Sequence, residues 1–221
     1  ARRSLDRDVI DIFLLHEQES VYTMQGHHEA LETLLERKAK GIIRAVGLST
    51  HHIAGVYAAT LSGLDVVHPM FNIDGYGILD GGATQMAEAI ETADRAGLGV
   101  FAMKALGGGN LFARAQECLR FVLNNPHIHA VALGCKSKEE VRANARFFET
   151  GKFLDHELGN LLTAQKHLHV ADWCEGCGKC AAFCPHKAIN IRDNQADVNP
   201  DKCVLCGYCG AKCPLFAIKI Y

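Results

Sequence analysis

The chain has 221 residues, of which 48% are hydrophobic and 22% charged, with a formal net charge of −2. That length allows one large domain and one small one. The near-neutral charge argues against a general nucleic-acid binder, and no apolar run is long enough to span a bilayer.

The start, Ala1-Arg2-Arg3-Ser4-Leu5-Asp6-Arg7-Asp8, carries charges where a secretory signal needs an apolar segment. Together with the missing membrane span, this points to the cytoplasm. Val9 to His16 is an almost continuous apolar run, the pattern of a parallel strand buried on both faces. A helical pattern follows from His27 to Lys40, with Leu31, Leu34 and Leu35 on one side and Gly41 as its stop. Arg44 to Ser49 predicts a second strand, Ile53 to Leu61 a helix, and Val66 to Phe71 a third strand. Ala83 to Ala96 is a helix with Met86, Ala89, Ile90 and Ala93 at core spacing. Gly99 to Lys104 is a fourth strand, and Gly107, Gly108 and Gly109 interrupt the chain after it. A helix from Ala113 to Leu123 stops at Asn124-Asn125-Pro126, and Ala130 to Gly134 is a fifth strand. Ser137 caps a helix to about Phe148, with Glu139 and Glu140 in its first turn. Five strands alternating with helices predict an α/β domain with a parallel sheet over residues 1–150. Residues 151–167 read as a helical linker.

Eight of the ten cysteines fall in the last segment. Cys174, Cys177, Cys180 and Cys184 precede Pro185, and Cys203, Cys206, Cys209 and Cys213 precede Pro214. Each half is C-x2-C-x2-C-x3-C-P, the spacing of cubane iron–sulfur ligands, whose fourth cysteine serves the other cluster. One [4Fe–4S] cluster is therefore assigned to Cys174, Cys177, Cys180 and Cys213. The other is assigned to Cys203, Cys206, Cys209 and Cys184. Zinc sites use paired C-x2-C without the third and fourth cysteines, and disulfide knots belong to small secreted chains. The halves repeat at an offset of 29 residues, matching Gly178 to Gly207 and Ala188-Ile189-Asn190-Ile191 to Ala217-Ile218-Lys219-Ile220. Both tails alternate β-branched residues and predict short strands. Of the two other cysteines, Cys118 lies in a helical pattern and reads as a small core residue.

Residues 168–221 resemble a bacterial two-cluster ferredoxin, a small α+β fold. Residues 1–150 resemble the last five βα units of an aldo/keto reductase. The resemblance is carried by Ile12-Phe13-Leu14-Leu15-His16, by Leu31 through Ser49, by Ala102 through Leu111, and by Leu119 through Asn144. It implies a partial (β/α)8 TIM barrel, and the pair of segments resembles the iron–sulfur subgroup of that family. A full barrel takes about 250 residues, so three front units, which carry the family's catalytic Asp, Tyr and Lys, are expected outside this sequence, which reads as a fragment.

The resemblance implies roles for single residues. His16 matches the family's carbonyl-orienting histidine, and Ser49 the serine that binds the nicotinamide carboxamide. Thr50 stands where the family usually has Asn, His68 where it has the carboxamide-binding Gln, and Met103 where an aromatic stacks on the nicotinamide. Gly107 and Gly109 with Lys104 match the loop over the pyrophosphate. Lys136 and Ser137 precede a helix N-terminus, and Asn144 matches the adenine contact. Glu140 falls where an arginine would bind a 2′-phosphate, which implies NADH over NADPH, or a substitute role for Lys136 and Arg142, or a changed site. The implied function is an iron–sulfur oxidoreductase passing electrons between two [4Fe–4S] clusters and a nicotinamide-type site, with an external electron carrier and a small carbonyl substrate. The alternative is a non-catalytic electron carrier whose barrel part is a docking scaffold.

Overall fold

The computed structural model describes residues 2–135, 137–157 and 166–221. The chain divides into two compact units. The first is residues 1–71, 78–103 and 125–132; the second is residues 72–77, 104–124 and 133–221.

The first unit is built on five parallel strands in sequence order: β1 (Ile10–Leu15), β2 (Ile43–Thr50), β3 (Val66–Pro69), β4 (Gly99–Met103) and β5 (Ala130–Ala132). Its helices are α1 (Arg2–Leu5), α2 (Val21–Gly26), α3 (His28–Ala39), α4 (Ile53–Leu61) and α5 (Ala83–Arg95). The core is the central sheet against α4 and α5. Val46, Leu48, Val56, Val67, Met70, Met86, Ala89, Ile90, Ala93 and Ala102 are fully buried there. Gly47 is bare for a reason of contact: a Cβ there would lie 2.1 Å from the Val66 carbonyl oxygen on the paired strand.

β1 differs from the expectation of two buried faces. It is an edge of the sheet, and Ile12 is 46% exposed. At the other edge, β5 begins beside a bracket of histidines on the end of α5. Asp94 Oδ2 lies 2.7 Å from His127 Nδ1, and Asp94 Oδ1 lies 3.2 Å from His129 Nε2. His129 Nδ1 accepts the Val100 N–H at 2.9 Å, so the ring proton lies on Nε2, toward Asp94.

The second unit contains α6 (Ala115–Leu123), α7 (Lys138–Thr150), β6 (Leu168–Val170), α8 (Lys179–Phe183), β7 (Ile189–Arg192), β8 (Gln195–Val198) and β9 (Ile218–Ile220). Ser137 Oγ accepts the Glu140 N–H at 3.1 Å, the predicted cap of α7, and Gly151 closes the helix at φ 71°. Phe147 and Phe153 stack at 4.6 Å beneath it. The strands β7 and β9 occupy the two predicted tails, but they do not pair with each other. β9 pairs with β6 and β7 with β8, both antiparallel. The helix expected across 151–167 falls largely on residues 158–165, outside the described residues.

Candidate functional site

The 29-residue repeat becomes a structural repeat around the cysteines. Gly176 and Leu205, Gly178 and Gly207, and Lys187 and Phe216 are repeat mates, and all six hold positive φ between 47° and 77°. The Ala188 N–H donates to Cys184 Sγ at 3.3 Å, and its mate Ala217 donates to Cys213 Sγ at 3.2 Å. Amide bonds of this kind stabilise thiolate charge and tune cluster potentials.

The eight cysteines line two separate cavities. One is lined by Cys174, Cys177, Cys180 and Cys213, with Pro214 at its wall. The other is lined by Cys184, Cys203, Cys206 and Cys209, with Pro185. In each set the fourth cysteine comes from the other half of the repeat. Among the described residues, no group of three His, Cys, Asp or Glu side chains closes on a single metal ion. Four thiols spread around a cavity suit a cluster with four corners better than one zinc ion with Zn–S distances of about 2.3 Å. Burial, with repulsion from Cys206 and Cys203, pushes the Cys209 thiol up to about 12; burial raises Cys180 as well. A bound metal centre at these positions would stabilise the thiolate forms.

The second constellation lies along the C-terminal ends of β1 to β4. Strand register sets Ser49 beside His68 and Met70 beside Met103. His16 follows β1, and its Nδ1 lies 3.2 Å from the buried Ser49 Oγ. The Glu17 N–H donates to the same oxygen at 3.0 Å. His68 stacks on Phe101 at 3.9 Å, with its Nδ1 2.5 Å from the Phe101 carbonyl oxygen. The structure thus brings His16 and Ser49 into contact and lines up His68 and Met103 along the same rim. Lys104, φ 61°, opens the turn after β4.

The remaining sequence-predicted residues lie in the second unit. A Cβ on Gly109 would sit 1.6 Å from the Ile220 carbonyl oxygen, so β9 runs against this glycine. Gly107 packs on Tyr76 and Leu111. Asn144 Nδ2 lies 3.2 Å from Cys135 Sγ on an exposed surface, and Lys136 lies outside the described residues. An open depression of about 500 Å³ over α6, walled by Arg114, Glu117 and Arg120, contains none of the predicted residues.

Sequence reasoning missed Glu17 and its histidines. Glu17, φ 47°, accepts the His51 N–H at 2.9 Å; its carboxylate oxygens lie 3.7 Å from His51 Nε2 and 4.0 Å from His52 Nδ1. Burial raises its pKa against the lowering effect of the His51 N–H and of His16 and His52. His52 Nδ1 is buried without a hydrogen-bond partner among the described residues. The available signal was the pair His51-His52 directly after the second strand, on the same strand end as His16.

Residues 1–117 match the aldo/keto reductase family, a span of more than half the chain. The chain belongs to the aldo/keto reductase family. Residues 166–214 of this aldo/keto reductase match a 4Fe-4S dicluster domain, the segment that holds all eight cavity cysteines. None of the curated proteins matches the chain in sequence. Among solved structures it is similar to a protein described as an aldo-keto reductase from Pseudomonas aeruginosa, with 22% identity and a TM-score of 0.54 over 68% of this chain and 55% of that one. It is also similar to the holo form of aldo-keto reductase AKR11C1 from Bacillus halodurans, with 18% identity and a TM-score of 0.55 over 73% and 62%. These likenesses establish the fold: five βα units of a (β/α)8 barrel, followed by a small C-terminal domain. The chain spans 55% to 62% of the length of these structures. No helix among the described residues is long and apolar enough to cross a membrane.

Proposed function

We propose that this aldo/keto reductase is an iron–sulfur oxidoreductase that passes electrons between two [4Fe–4S] clusters and a nicotinamide-type redox site on the rim of its parallel strands. The observation that carries the reading is the crosswise division of the eight cysteines between two cavities. Bound clusters would supply one-electron transfer, and a bound nicotinamide would supply hydride chemistry. NADH is favoured over NADPH because Glu140 stands where a 2′-phosphate would need a cation. The further reactants are an external electron carrier or redox protein and a small carbonyl compound. Eight thiolate ligands suit the reducing cytoplasm.

On the rim, Ser49 Oγ accepts the Glu17 N–H, and its hydroxyl hydrogen is free to donate to His16 Nδ1. In that arrangement the imidazole proton lies on Nε2, where it can donate to a carbonyl oxygen and orient it. His68 is held by Phe101, and Met103 offers a polarisable thioether to a ring face.

A second reading, a non-catalytic electron carrier with the barrel part as docking scaffold, is favoured by one specific observation. The Cβ side of Gly109, in the loop that resembles the family's pyrophosphate loop, is taken by the Ile220 backbone. Anaerobic addition of NADH or NADPH to the full-length, cluster-loaded protein, followed by low-temperature EPR, separates the two. The oxidoreductase reading expects signals of two interacting reduced clusters. Clusters that respond to dithionite and stay silent with both nucleotides would leave the carrier.

A further inference from the structure

Gly107, Gly108 and Gly109 all hold positive φ, from 56° to 89°. A Cβ on Gly108 would lie 2.9 Å from Lys219 Cδ and 3.0 Å from the Phe216 ring, and one on Gly109 would strike Ile220. The triplet lacks side chains where the end of the chain passes against it. Asn110, which follows, is buried. Its Nδ2 donates to the Gly107 carbonyl oxygen at 2.7 Å and to that of Ile218, on β9, at 3.3 Å.

Asn110 also meets one cysteine loop. A Cβ on Gly207, the residue after Cys206, would lie 2.6 Å from the Asn110 carbonyl oxygen. A Cβ on Gly210, the residue after Cys209, would lie 2.6 to 2.7 Å from all three atoms of the Asn110 amide group. Gly210 therefore meets that amide face-on. Asn110 Oδ1 has no hydrogen-bond partner among the described residues.

The internal repeat supplies the comparison. The mate of Gly207 is Gly178, where a Cβ would meet only Ile191 Cγ1, at 3.9 Å. The mate of Gly210 is Ala181, which carries its Cβ. The first ligand loop is approached instead at Gly176, where a Cβ would lie 2.5 Å from the Asn194 backbone, so the contact with Asn110 belongs to the second loop.

We propose that Asn110 is a positioning residue for the cluster held by Cys184, Cys203, Cys206 and Cys209, and that this cluster alone is tied to the segment following β4. The proposal rests on the cluster reading of the eight cysteines. Asn110 fixes the path of the loop between Cys206 and Cys209 and sets an amide dipole beside it. Second-shell contacts of this kind govern both the retention and the potential of a metal centre.

The test uses the full chain loaded with both clusters. Cys177→Ser and Cys206→Ser variants identify which EPR signal belongs to which set. Asn110→Ala is expected to lose the Cys206 cluster to a chelator about tenfold faster than the wild type, with the Cys177 cluster unchanged. Asn110→Asp keeps the size, loses the donor and adds negative charge, so it is expected to lower the midpoint potential of the Cys206 cluster alone. It carries the test should the alanine variant fail to fold. Gly210→Ala, which pushes on the same amide from the opposite side, is expected to affect the same cluster. Equal effects on both clusters, an effect on the Cys177 cluster alone, or no effect in Asn110→Asp would overturn the proposal. Iron and acid-labile sulfide short of two clusters in the wild type would instead overturn the cysteine assignment, independently of Asn110.

Discussion

Glu17 combines a left-handed backbone, a half-buried carboxyl and three neighbouring histidines, His16, His51 and His52. Each of the first two features costs stability, and such costs collect at functional sites. The carboxyl has a pKa raised by burial above its unfolded value, so the folded state binds its proton more tightly than the unfolded state does. Its contribution to stability is therefore present below the ordinary carboxylate range and is lost as pH rises through the raised value. Glu17→Gln keeps an oxygen for the His51 N–H and removes the charge. The variant should unfold at a higher urea concentration than the wild type at neutral pH, and the two midpoints should converge under acid. A variant weaker than the wild type at neutral pH would mean that attraction to the histidines outweighs the cost of burial. This group was hidden in the sequence because Glu17 sits in a polar run that looks like any loop. His51 and His52 are more than thirty positions away and are met across the β1–β2 pair.

Elements show where pattern was enough and where it was not. α5 was legible because Met86, Ala89, Ile90 and Ala93 repeat at helical spacing, and all four are fully buried. α2 was missed. Its six residues include Val21, Tyr22 and Thr23, poor helix formers, and its start is fixed locally by Thr23 Oγ1, which accepts the Glu19 and Ser20 N–H groups. β6 and β8 were missed because each is only three or four residues long, and pairing with β9 and β7 defines them rather than their own pattern. α3 depends on a polar tie. Lys38 Nζ reaches both Asp65 oxygens at 2.5 and 2.7 Å, and Asp65 Oδ2 also accepts the Val46 N–H of β2 at 2.8 Å. Burial pushes the Asp65 pKa up, but the bonds from Lys38 and Val46 outweigh it, and the net value is lowered. A carboxyl with a depressed folded pKa adds stability above its unfolded value, and that stability is lost as pH falls through the folded one. Asp65→Asn should cost about 1 kcal/mol at neutral pH, a modest figure because the pair is partly solvated. The cost should vanish once the wild-type carboxyl is protonated. Urea midpoints of both proteins across the acid range check this, and a cost that persists unchanged in acid would assign the loss to the Val46 bond alone.

At the scale of the whole molecule, the cysteine repeat was readable because its information is local: spacing and a following proline define each half. The placement of the repeat was not readable. The partners of β7 and β9, the αL backbone at Leu205 and Lys187, and the grip of Asn110 on Gly210 all depend on chain segments far apart in sequence. The crosswise ligand sets make a prediction that sequence proximity alone would get wrong. Cys184 lies four residues from Cys180 and nineteen from Cys203, yet it lines the cavity of Cys203, Cys206 and Cys209. Cys184→Ser should therefore abolish or shift the same EPR signal as Cys206→Ser and leave the signal lost in Cys177→Ser in place. Cys213→Ser should do the reverse, because Cys213 lines the cavity of Cys174, Cys177 and Cys180. The mates Ala188 and Ala217 each donate to the crossing sulfur, so the two exchanges are equivalent in their backbone support as well as in their spacing. If Cys184→Ser instead removed the signal of Cys177→Ser, each half would hold its own four ligands. The fold would then be two independent cluster loops rather than one interlocked pair.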